Sequence, residues 1–141
     1  MNRRETIAAV AAAVLAGAME AEPQSADQMH PAKYKALADS SGKCVSTGED
    51  CLRHCLEMMA MKDTTMAACA GAVVQMIAAC RAMQTLASFN SKFTASFAKD
   101  TAAVCDDCEI ECRKFASKYS ICRACADACK ACGAECRKAT A

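Results

Sequence analysis

Along most of this chain apolar side chains recur at alternating spacings of three and four, the pattern of helices that bury one face. From Ala32 onward there is no proline and glycine is sparse, while Ala, Lys, Glu, Met and Leu dominate, all good helix formers. Breaks in the pattern fall at Lys62 to Thr65, with Asp63 a candidate N-cap, at Phe89 to Lys92, and at Ser117 to Ser120. The expected helices span about 32–61, 64–88, 92–116 and 120–138. Connections this short favour antiparallel neighbours, so the fold expected is all-α, an up-down four-helix bundle over 32–141.

The buried stripes have an unusual content. At about 100 degrees per residue, Cys122, Cys125, Cys129, Cys132 and Cys136 fall in an arc of roughly 80 degrees on the fourth helix. Cys105, Cys108 and Cys112 repeat the pattern on the third, extended by Thr101 and Phe115. The second helix runs Met66, Cys69, Val73, Met76, Cys80, Met83, and the first runs Leu37, Cys44, Cys51, Cys55, Met58. Leucine would normally hold these seam positions. Arg53, Glu57, Arg81, Arg123 and Asp127 lie off the stripes and read as solvated surface.

Composition sharpens this. The 141 residues include 33 Ala but only 19 Leu, Ile, Val and Phe together, against 13 Cys and 9 Met. That is too little large aliphatic volume for an ordinary core, so the cysteines must be the core or the chain has none. A net charge of +1 gives no footprint for nucleic acid.

Residues 1–18 have the form of a signal peptide: Arg3 and Arg4, a short Ala-rich run from Ile7 to Ala18, and small residues at Ala16 and Ala18 for cleavage. The run is too short for a membrane span. The paired arginines suggest twin-arginine export, although Thr6 stands where that motif usually carries a bulky apolar residue. An exported, periplasmic or otherwise extracytoplasmic protein is expected, with residues 19–31 a flexible lead-in around Pro23 and Pro31 and no membrane span after the signal is removed.

Several uses of so many thiols compete. Buried Cys packs as a small hydrophobe, but thirteen on four core stripes exceed that role. A disulfide-stabilised secreted structural protein fits the export and the cysteine content, against the odd number and the single-helix clustering. A redox enzyme wants one activated thiol in a strand-to-helix setting, and iron–sulfur ligation wants a different spacing that ends in proline. A non-catalytic metal binder remains. Four thiolates around each Zn²⁺ leave two negative charges per buried site, whereas one Cu⁺ per thiolate is neutral in total. Cu⁺ also takes soft thioethers, which suits the methionines. A metallothionein-like buffer for Zn²⁺ or Cd²⁺ stays as an alternative beside the disulfide scaffold.

In an up-down bundle the turns at 62–65 and 117–120 share one end, with His54, Met58, Met61 and Met66 around it. These residues are candidates for a soft-ligand mouth. The other end collects Leu37, Met83, Leu86, Phe89, Phe93 and Phe97, an expected apolar plug. Met59 and Met76 read as packing, and Met29 with His30 remain unassigned.

The segment GEDCLRHCLEMMAM at 48–61, Met66 with Cys69, and the C-x-x-C-x-x-x-C runs at 105–112 and 122–129 continuing to Cys136 resemble the bacterial copper storage proteins. The resemblance extends from about Tyr34 to Ala139. It implies storage of multiple Cu(I) ions, about one per cysteine, largely on two-coordinate thiolate sites. It also implies that His54, Met58, Met61 and Met66 bind and pass copper at the open end. Exported relatives assemble as homotetramers and look like reserves for a client copper enzyme, with methane oxidation the usual suggestion.

Overall fold

The computed structural model describes residues 30–141; the expected signal peptide and all but the end of the lead-in lie outside the described residues. Four helices follow in order: α1 (Lys35–Ala60), α2 (Ala67–Ser88), α3 (Thr94–Arg113) and α4 (Ser120–Ala139). Each packs against the helices before and after it, and α4 closes the ring against α1, so the bundle is up-down-up-down.

The chain stops its helices with backbone geometry. After α1, Lys62 takes a left-handed φ of 66°, its N–H reaches Met59 O at 2.9 Å, and Asp63 N–H reaches Met58 O at 3.0 Å. After α2, Asn90 takes a φ of 51°, its N–H reaches Ala87 O at 3.2 Å, and Ser91 N–H reaches Leu86 O at 3.0 Å. Both are Schellman endings, which satisfy carbonyls that the last turn would leave orphaned. This arrangement corrects the expected role of Asp63. Its Oδ1 accepts from Thr65 N and Thr65 Oγ1 inside the turn, while α2 starts later, with Met66 at the N-cap position and no side-chain cap.

The seam expected from the spacing is the core. On α2, Met66, Cys69, Val73, Met76, Cys80 and Met83 are all fully buried, as are all thirteen cysteines. α2 is also long and apolar enough to cross a membrane by length and composition; here that stripe is buried in the bundle. Gly48 of α1 lies against α2. A Cβ there would sit 2.6 Å from Met76 Cε and 3.0 Å from Ile77 Cγ1, so any larger residue would force these two side chains to shift within the core.

The plug at the far end differs from expectation. Leu37 and Met83 are buried, and Leu86 and Phe97 are partly so, but Phe89 and Phe93 are 81% and 57% exposed. Both flank the left-handed turn at Asn90, beyond the reach of helical periodicity. Their place is taken by small side chains: Ala87, Ala98 and Thr94, whose hydroxyl donates to Leu86 O at 3.1 Å. Ion pairs such as Arg113 with Asp127 at 2.8 Å and Arg137 with Asp106 at 3.0 Å link α3 to α4 on the outside. Arg81 pairs with Glu49 across α2 and α1.

Candidate metal centre

Cysteine at every third or fourth position of a helix keeps its short side chain on one face, so the sulfurs of four such helices meet on the bundle axis. They gather in groups whose members lie within 4.8 Å of one another. Towards the far end, Cys44, Cys80, Cys105 and Cys132 form a quartet with one sulfur from each helix. Triads follow towards the other end: Cys108, Cys125, Cys129; then Cys51, Cys112, Cys125; then Cys51, Cys55, Cys69.

Shared members join the groups. Cys125 belongs to two triads and Cys51 to two, while Cys44 interacts with Cys129 across the gap to the quartet. Cys69 and Cys112 stand 3.5 Å apart, and Cys122 lies 3.9 Å from Cys51. Cys136 extends the quartet by its contact with Cys132. All thirteen sulfurs therefore stand in one row along the axis, and all are free thiols. The contacts of 3.5 to 4.0 Å are hydrogen-bonding distances between sulfurs, about twice the roughly 2.05 Å of a disulfide.

Proton affinity follows from this crowding. Contact with Cys105 heads the causes that push Cys44 well above the usual thiol range of 9.0, and contact with Cys112 does the same for Cys51. Burial pushes Cys122 up to about 11. At Cys55 the contact with Cys51 pulls down, but Cys69 and burial outweigh it and the thiol also rises to about 11. Cys132 and Cys129 go the other way. Cys132 is lowered by hydrogen bonds from Cys105, Cys136, Cys44 and Cys80, and Cys129 by those from Cys108, Cys125 and Cys44. In the quartet, and in the triad of Cys108, Cys125 and Cys129, one sulfur thus accepts what its neighbours donate. In this row most thiols keep their protons at neutral pH, and an incoming cation must displace them.

Sequence reasoning placed these thirteen cysteines on the inward face, and the structure brings them together. It missed Ser41, a fully buried polar side chain whose Oγ lies 3.6 Å from Cys132 Sγ. The signal was present, since Ser41 falls between Leu37 and Cys44 at spacings of four and three.

The four mouth candidates occupy different positions. The ring of His54 packs on Tyr119 with centroids 4.5 Å apart, which brings the end of α1 to the α3–α4 turn. Its Nε2 is buried without a hydrogen-bond partner. Met66 is fully buried, one turn before Cys69 on the same face of the chain, and Met58 is half-buried. Met61 is 69% exposed at the C-cap of α1, where the helix ends.

A row of soft donors with almost no hard oxygen ligand suits soft or borderline metal ions rather than hard ones. Among known proteins, the family model described as copper storage protein matches residues 30–141. No curated protein matches the chain.

Proposed function

The chain belongs to the copper storage protein family, and on that premise we propose that it holds its cargo as Cu(I), about one ion per cysteine, on the thirteen axial thiols. The observation that carries the reading is the continuity of the sulfur row. Each Cu⁺ that enters takes the place of one thiol proton, so the charge of the interior does not change as it fills. A divalent cargo on four thiolates would leave two negative charges at every site, a cost that grows with each ion.

Loading and release run through the end bounded by the 62–65 and 117–120 turns. Met61, exposed, meets copper first; Met58, His54 and Met66 pass it inward to Cys51, Cys55 and Cys69. The buried, unpartnered Nε2 of His54 supports this route, because an imidazole nitrogen without a hydrogen bond offers a lone pair to a metal. Twin-arginine export to an extracytoplasmic compartment, a homotetramer and a client copper enzyme, in methane oxidation, complete the reading. The exposed Leu56, Val74 and Ile110, each more than half accessible, supply apolar surface that assembly would cover.

Anaerobic titration of the reduced, metal-free protein with Cu(I), followed by native mass spectrometry, tests the store. Capacity close to the cysteine count is expected. Saturation after a few equivalents would refute storage and leave a single-site carrier, and retention of Zn²⁺ or Cd²⁺ against added Cu(I) would favour the divalent buffer.

A further inference from the structure

The sulfur row is not uniform. Three of its groups are triads that borrow members from one another, whereas Cys44, Cys80, Cys105 and Cys132 share no member with any triad and draw one ligand from each of the four helices. We propose that in the copper-free chain these four cysteines form a tetrahedral four-thiolate site for one divalent, borderline-soft ion, with Zn²⁺ the natural occupant, which Cu(I) displaces as the row fills. The site rests on the four thiols alone; only the displacement rests on the copper reading.

The distances suit that ion. A tetrahedron with zinc–sulfur bonds of about 2.3 Å has edges of about 3.8 Å. Cys80 lies 3.7 Å from Cys105 and 4.0 Å from Cys132, and no pair in the quartet exceeds 4.8 Å. Closing the site therefore needs movements of an ångström or less, within the reach of cysteine rotamers. The triads hold only three sulfurs each, too few for the closed four-coordinate shell of structural zinc.

Charge explains why there is one such site rather than several. Binding balances as one Zn²⁺ and four thiols giving one tetrathiolate complex of charge −2 and four protons. The quartet is the group with polar donors at hand: Ser41 Oγ stands 3.6 Å from Cys132 Sγ, and the Cys136 thiol contacts the same sulfur. Such outer contacts orient a metal ligand and spread its charge. Because a single helix cannot supply the shell, the ion would tie all four helices together at one level.

Titrating the reduced, metal-free protein with Co²⁺ under anaerobic conditions tests this, since tetrahedral sulfur-bound cobalt has an intense visible spectrum that octahedral cobalt lacks. The expected result is one tetrahedral Co²⁺ per chain, displaced by one equivalent of Zn²⁺. The spectrum should be lost in Cys80→Ser and in Cys105→Ser, and persist in Cys122→Ser, which removes a thiol outside the quartet. Ser41→Ala should weaken Zn²⁺ binding by about 10-fold. An octahedral spectrum, more than one tetrahedral ion per chain, or a signal that survives Cys80→Ser would overturn the proposal. Circular dichroism on each variant guards against loss of fold, and if the variants unfold, the geometry and stoichiometry in the unaltered protein still decide it. A negative result leaves copper capacity untouched.

Discussion

Two glycines in helix interiors make opposite predictions. Replacing either Gly48 or Gly71 with alanine removes the flexibility that glycine lends the unfolded chain and gains about 1 kcal/mol of helix propensity. At Gly71 nothing lies within 4 Å of the new methyl group, so Gly71→Ala should keep that gain. At Gly48 the methyl would meet Met76 Cε at 2.6 Å and Ile77 Cγ1 at 3.0 Å. Met76 is fully buried and Ile77 is 8% exposed, so any shift of either must be absorbed by the packed core around them. Overpacking of this kind costs about 1–3 kcal/mol, which exceeds the propensity gain. The net expectation is a loss of about 1 kcal/mol for Gly48→Ala, hence a separation of about 2 kcal/mol between the variants. Urea denaturation of the reduced, metal-free protein, read by circular dichroism, measures both midpoints. If the two variants shift stability in the same direction by similar amounts, the packing of Met76 and Ile77 against Gly48 does not limit the residue at this position.

Lys62 holds a left-handed φ of 66° that costs an ordinary residue about 1 kcal/mol, so Lys62→Gly should raise the urea midpoint slightly, while Lys62→Val should lower it. Replacing Met66 by Leu conserves volume in a fully buried position and should leave copper capacity unchanged while slowing uptake, seen in stopped-flow loading; an unchanged rate would remove Met66 from the route. The thiols of Cys55 and Cys122 sit at about 11 in the folded protein against 9.0 for an ordinary thiol. The folded state therefore holds these protons more tightly than the unfolded one. Their contribution is fully present below pH 9 and is lost as pH rises from 9 towards 11, so the metal-free bundle should destabilise across that window in pH-resolved melts. Copper uptake should release about one proton per ion in weakly buffered solution, and release well below that would contradict protonated resting thiols.

What could be read in the sequence was whatever helical periodicity governs. The four helices, the breaks between them and the inward face of every cysteine follow from spacings of three and four, because a side chain's direction inside a helix is fixed by its position. Periodicity ends where the helix ends. A continued helical register projects Phe89 and Phe93 into the core, but the left-handed Asn90 breaks that register. Asp63 has the composition of a cap, but the turn uses its carboxylate locally on Thr65. The grouping of sulfurs into one quartet and three triads depends on the heights at which four helices pass each other, set by contacts such as Gly48 on Met76, which no single-helix pattern encodes.

The complete burial of the sulfurs also bears on how fast any cargo could leave. A chelator in solution has no line of sight to a sulfur while the helices stay closed, so its thermodynamic strength alone does not set the rate of extraction. Exchange waits for fraying at an end of the bundle, and its tempo becomes a property of helix ends and turns rather than of metal–sulfur bonds. A mutation in the Lys62 turn, far from most of the thiols, would then change the residence time of ions bound near the middle of the row without altering how strongly they are held.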